Sequence, residues 1–266
     1  MEEYERYLRE QGFSDNSVRS YVYAANQLNA RVETLSSEGL LAHKDWLIAT
    51  YSAKTVNIRL VAINAYLDFV GYEGIRLAGL RIQQKPFLDN VVSNEQYRAM
   101  VAFLEAEKDS FWLLVLRFLA CTGARVSELR RFSVADVRVG HMDIVSKGSK
   151  LRRIYIPTAL REEAQSWCDT NGRREGLLFD NGHGSAISSR GISLGLKRIA
   201  ARSGVDESVV YPHSFRHLFA KNFIERNPDI ALLADLMGHE SIETTRIYLR
   251  RTAAEQRAAV DEAINW

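Results

Sequence analysis

Between Pro212 and Tyr248 the chain groups side chains that suit work on phosphate: His213, Arg216, His217, His239, Arg246 and Tyr248. An arginine offers a planar fork matched to phosphate oxygens, a histidine donates or shuttles protons near neutral pH, and a deprotonated tyrosine attacks phosphorus. Each residue also has a plain structural reading. Tyr248 lies in an apolar-periodic run, where a tyrosine more often packs than reacts. His213 and His217 stand four apart, the spacing of a helical metal pair. Arg216 between them repels a cation, however, and the glutamate of the zinc-protease motif is missing. His239 follows Met237-Gly238 and reads as a polar residue just past a glycine helix stop.

The joint pattern says more than its parts. His213-x-x-Arg216, then Gly238-His239, then Tyr248 nine residues on, resembles the second signature box of the tyrosine recombinases, the phage-integrase family. The first box of that family, an arginine in a TG-x-R-x-S-E-L context, is matched by Thr122-Gly123-Ala124-Arg125-Val126-Ser127-Glu128-Leu129. Between the boxes the family carries a lysine in a β-hairpin, and Lys147-Gly148-Ser149-Lys150 stands between two strand-like runs.

The resemblance implies roles. Arg125 and Arg216 clamp the non-bridging oxygens of the scissile phosphate, and His239 donates a further hydrogen bond. Tyr248 attacks to form a 3′-phosphotyrosyl link, His213 is the candidate base, and Lys147 protonates the departing 5′ oxygen. One phosphodiester is exchanged for another bond of similar energy, so no cofactor is expected. Neither a Walker loop nor a carboxylate cluster for magnesium stands in the sequence. Two rival readings are a type IB topoisomerase, which relaxes a single duplex, and a DNA-binding regulator without catalysis.

The elements that would position these residues are mostly helical. Val18, Tyr21, Val22, Ala25 and Leu28 share one face of a helix opened by Ser14-Asp15-Asn16, and Val56, Leu60, Ile63, Leu67 and Val70 stripe a second that starts near Ser52. Ser14 to Tyr21 and Ser52 to Leu60 resemble stretches of the recombinase core-binding domain, with Ser17 where the pattern has threonine. Arg19, Lys54, Asn57 and Arg59 become candidates for contacts with the DNA backbone. From Gly71 to about Val92 the periodicity fades, and Ser93 to Gln96 opens the next helix as a capping box.

Beyond it the sequence predicts helices over 94–107, 110–121, 158–170 and 188–202, a corner at Gly123 holding Arg125, and a further helix from Val126. Glu128 is placed either to hold Arg125 or to pair with Arg131 on the surface. A hairpin is expected from Met142–Ser146 and Arg152–Ile156, another helix after Asn227-Pro228-Asp229, and a last one over Ala253–Ile264. The expected fold class is mainly α with a small β-hairpin (α+β). The expected organisation is a helical core-binding domain over 1–72, a linker over 73–92 and a catalytic domain over 93–266.

Composition bounds the partners. In 266 residues with a 46% apolar fraction there is material for packed cores, and two cysteines, Cys121 and Cys168, are too few for a disulfide scaffold. No apolar run is long enough to cross a bilayer, and the N-terminus lacks the pattern of a signal peptide, so a cytoplasmic, nucleoid-associated protein is expected. The net charge of +2 is low for a DNA-binding protein. Local clusters offset it, Lys147, Lys150, Arg152 and Arg153 in one place and Arg125, Arg130 and Arg131 in another. The resemblance implies double-stranded DNA as partner, a monomer in solution, and a homo-tetramer on DNA with the last helix packed at home or exchanged between neighbours.

Overall fold

The structure, a computed structural model, describes residues 1–82, 91–145, 151–182, 184–239, 245 and 253–264, the last segment partly as backbone alone. Lys147 and Tyr248 therefore lie outside the described residues. The chain divides into two compact units, Met1–Gln84 and Lys85–Trp266.

The first unit is built from α1 (Glu2–Glu10), α2 (Asp15–Asn29), α3 (Ser37–Thr50) and α4 (Ala53–Phe69). Ser14 and Ser36 open α2 and α3 by accepting the backbone N–H of Ser17 and Gly39, which satisfies a donor that the first helical turn leaves over. Val56, Leu60, Ile63 and Leu67 of α4 are fully buried against Ala24 and Leu28 of α2 and Leu40 and Leu47 of α3. Val70, expected on the same stripe, is 41% exposed because the helix ends at Phe69. The charged helix α1 is tied down by Tyr4 and Leu8, one turn apart, against Val18 and Ala25.

Part of the stretch read as a linker belongs to this unit. The side-chain amide of Asn64 brackets the backbone of Leu77, donating to its carbonyl and accepting its N–H at 3.0 Å each. Asn57, two turns earlier on α4, does the same to Leu80 at 2.9 and 2.7 Å. An asparagine carries one donor and one acceptor side by side, as a peptide unit does, so two of them spaced along a helix hold an extended segment as a strand neighbour would.

The second unit centres on α6 (Ser110–Thr122), whose Leu114, Val115, Leu116, Phe118 and Leu119 are buried on nearly all sides. Phe118 meets Phe132 and Phe179 edge-on at 5.1 and 5.2 Å, the geometry that places positive ring edges on negative faces. Around it stand α5 (Asn94–Ala106), the short α7 (Val126–Leu129) and α8 (Val134–Val139), α9 (Thr158–Thr170), α10 (Ser189–Arg202), α11 (Pro212–Arg226) and α12 (Ile230–Met237). The Ser93 capping box is present, with Ser93 and Gln96 satisfying each other's backbone N–H.

Strands β1 (His141–Val145) and β2 (Leu151–Tyr155) pair antiparallel from His141 opposite Tyr155 to Val145 opposite Leu151. Alternation sends Met142, Ile144, Arg152 and Ile154 inward, while Asp143 and Arg153 form a two-pronged pair on the outer face. A last helix, Ala253–Ala263, ends the described chain. The mainly helical fold with one small hairpin is that expected from the sequence.

Candidate active site

The site is assembled at three chain turns. The first follows α6. Gly123 takes a left-handed backbone (φ 62°), and a Cβ there would sit 2.5 Å from the Phe219 ring, so glycine is required on both counts. Thr122 fixes the turn, its hydroxyl donating to the Phe118 carbonyl and accepting the Ala124 N–H. Arg125 then caps α7, and Glu128 holds it twice: one carboxylate oxygen accepts the Arg125 N–H and the other accepts Nη1, both at 2.7 Å. Of the two roles weighed for Glu128, holding Arg125 is the one realised. The Arg125 side chain remains 41% exposed, within reach of a ligand.

The second turn is the start of α11. Pro212 stands at the first helical position, where its missing N–H is no loss. His213 is exposed, and its ring meets that of His217 edge-to-face at 4.9 Å. Arg216 is 1% exposed, its guanidinium donating to the carbonyls of Gly123 and Met237.

The third turn ends α12. Gly238 is left-handed (φ 61°), and the N–H groups of Gly238 and His239 fold back onto the carbonyls of Asp235 and Ala234 at 3.0 Å each, a Schellman closure. Two carbonyls that a helix end ordinarily leaves to solvent then face inward with the Gly238 carbonyl, and each of the three receives an arginine. Arg152 donates to Leu236 O, Arg216 to Met237 O and Arg125 to Gly238 O. The negative end of the α12 dipole adds to their attraction for cations.

His239 lies among these groups. Arginine has no acceptor, so the 3.0 Å contact between Arg216 Nη2 and His239 Nε2 makes Nε2 the acceptor, and Nδ1 then donates to the Thr245 hydroxyl at 2.9 Å. Burial, then the charges of Arg216, Arg125 and Arg152, hold His239 down at about 4, so the ring is neutral at pH 7. With Nε2 accepting, His239 turns to a phosphate as donor only by exchanging one of these contacts.

The three guanidiniums are held chiefly by backbone oxygens, and Glu128 offsets at most one of their charges. A cation cluster so arranged attracts an anion, and Arg125 is the guanidinium that keeps an exposed side towards it. Arg125, Arg216 and His239 are brought together here. His213 is near enough for its charge to contribute to the lowering of the His239 pKa. Lys147 and Tyr248 fall on residues outside the description, although Thr245, three residues before Tyr248, is buried against His239.

Sequence reasoning missed Thr245 and misplaced Arg152. Arg152 was grouped with surface charges for DNA, yet it is 6% exposed and faces inward. Its parity with Ile154 and Ile156 along the strand was the signal that it points into the core.

Residues 90–255 match the phage integrase family. The tyrosine recombinase XerA of Pyrococcus furiosus is 30% identical over 99% of this chain and 93% of its own length. XerC of Mycobacterium tuberculosis is 29% identical over 99% of the chain and 97% of its own. Among solved structures, the XerH site-specific recombinase in a post-cleavage complex with difH substrate superposes with a TM-score of 0.74 at 18% identity, covering 92% of this chain and 78% of that one. A lambda integrase tetramer bound to a Holliday junction gives 0.73 at 17% identity, over 100% of this chain and 77% of that one. Likeness at such identity speaks for the fold. The chain belongs to the phage integrase family, the tyrosine recombinases. Within that family it is Xer-like, a site-specific recombinase that breaks and rejoins DNA.

Proposed function

We propose that the chain recombines double-stranded DNA through a covalent 3′-phosphotyrosyl intermediate, with Arg125, Lys147, His213, Arg216, His239 and Tyr248 as its catalytic set. The observation that carries the reading is the cation cluster around the end of α12, where Arg125 and Arg216 are fixed by Gly238 O, Met237 O and Gly123 O beside a neutral His239.

A phosphodiester resists attack because its charge repels nucleophiles and its leaving alkoxide is poor. Arg125 and Arg216 neutralise the non-bridging oxygens and stabilise the charge that grows on them. Tyr248 attacks phosphorus, its phenolic proton passing to His213. The bond to the 5′ oxygen breaks as Lys147 protonates that oxygen, which leaves a 5′-hydroxyl and a phosphotyrosyl ester. A 5′-hydroxyl of a partner strand reverses the step, so ligation needs no nucleotide. Exchange between two duplexes uses four such sites, and the functional form is a tetramer on DNA. The lambda integrase tetramer on a Holliday junction named above is consistent with that assembly. Such an enzyme acts where the chromosome lies, in the cytoplasm at the nucleoid.

The test is incubation with nicked suicide substrates drawn from DNA flanking the gene. The wild-type chain is expected to yield a protein–DNA adduct that survives denaturant, and Tyr248→Phe is expected to yield none. An adduct that persists in Tyr248→Phe removes the nucleophile. Relaxed plasmid without joined product would place the topoisomerase reading first.

A further inference from the structure

Arg152 stands outside the six residues assigned to the reaction, yet its guanidinium touches both the group that holds Arg125 and the turn that presents His239. It leaves β2 on the inward face with its side chain 5% exposed. Nε and Nη2 fork on the Leu236 carbonyl at 3.0 and 2.8 Å. Nη1 donates at 2.7 Å to Glu128 Oε1, the same oxygen that accepts Arg125 Nη1. Its stem fills the space beside Gly238, where an added Cβ would come within 2.3 Å of Arg152 Cδ. One side chain thus joins the β1–β2 hairpin, the Arg125 corner and the turn that presents His239.

We propose that Arg152 is a positioning residue of the cleavage site, locking the hairpin to the Arg125–Glu128 pair and to the end of α12 so that clamp and hairpin are set as one unit. Its Nε, Nη1 and Nη2 are taken up by the Leu236 carbonyl and the Glu128 carboxylate, so its contacts are with the groups that carry the clamp. Stability does not account for it. A buried ion pair is often no better than apolar residues of the same volume, because desolvation offsets the attraction. That opposition is visible in Arg152 itself, where burial outweighs Glu128 and brings it down to about 10. What the fork supplies is direction, two donors on one carbonyl and a third on a shared carboxylate.

The inference rests on the cleavage reading, and the test separates the two. Arg152→Lys keeps the charge without the fork, and Arg152→Met keeps most of the stem without the head. Each is compared with wild type as full chain for urea unfolding, DNA binding and single-turnover cleavage of the suicide substrate. Binding is expected to stay within about 3-fold while cleavage falls by about 10-fold or more in Arg152→Met and by less in Arg152→Lys. Adding Glu128→Gln to Arg152→Met should lower the rate little further, since both act through Arg125.

Full cleavage by a folded Arg152→Met, or losses that multiply in the double variant, overturn the proposal. So does failure of both single variants to fold, which makes Arg152 a residue of stability alone. If the wild type itself forms no adduct, the cleavage reading fails instead. NMR of ¹⁵N-labelled histidine then decides for Arg152: the His239 titration should move in the charge-keeping Arg152→Lys, where only the fork is lost, whereas an unmoved titration in that variant shows that Arg152 does not order this turn.

Discussion

At the scale of single residues the site is unusual in how its charges are held. Arg216 is 1% exposed and donates to two carbonyls from turns far apart in the chain, so its direction is fixed before any ligand arrives. Arg125 has one carboxylate and one carbonyl and keeps an exposed side. Arg125→Ala and Arg216→Ala are each expected to lose at least about 2.7 kcal/mol of transition-state stabilisation, the scale for a preorganised donor. Single-turnover cleavage measures it, and a near-normal rate in either variant contradicts the clamp. That Arg125, Arg216 and His239 lie together was legible in the sequence because motif spacing survives without coordinates. Arg152 was not, because a run of lysines and arginines looks like solvated surface until strand parity is applied to it. The state of His239 was hidden too, since it depends on Arg216 from another helix and on Thr245 from beyond the turn.

At the scale of elements, periodicity carried α2, α4 and α6, missed α3 although it runs for 14 residues, and failed on the polar and the short helices. α4 and α6 were legible from their apolar stripes. α1 went unplaced because only Tyr4 and Leu8 of its nine residues are buried, and α8 because six residues span less than two turns. The segment after α4 was legible only as glycine-broken chain. What orders it is two asparagines on the helix, Asn57 and Asn64, which no apolar pattern reveals. Asn64→Ala removes both bonds to Leu77 and leaves a buried backbone pair unmet, so the chain should lose about 1–3 kcal/mol against urea. Amide exchange at Leu77 should rise with it. Unchanged exchange there would mean that the apolar contact of Leu77 alone holds the segment.

Across the whole molecule, acid is the shared weakness. His43 in the first unit and His217 and His239 in the second are each brought from 6.5 to about 4, in every case chiefly by burial and then by neighbouring charge. A histidine whose folded value is depressed gives the fold its full benefit above pH 6.5, where both states are neutral. The benefit falls away as pH drops towards 4, because the unfolded chain takes up the proton first. His43, 2% exposed and without a hydrogen-bond partner on either ring nitrogen, should alone account for up to about 3 kcal/mol between those limits. The thermal midpoint is therefore expected to fall between pH 6.5 and pH 5, and His43→Leu should flatten the share that belongs to the first unit. A midpoint flat over that range would show that these rings are hydrated.

The acceptors at the end of α12 belong to the main chain, and that has a consequence for how this stretch tolerates change. Swapping the partly buried Leu236 for another helix former alters none of the oxygens that the guanidiniums grip. Inserting or deleting one residue between Ile230 and Met237 alters all of them, since each residue turns the helix by about 100° and advances it by about 1.5 Å. What the arginine cluster reads from this helix is its length and phase rather than its letters.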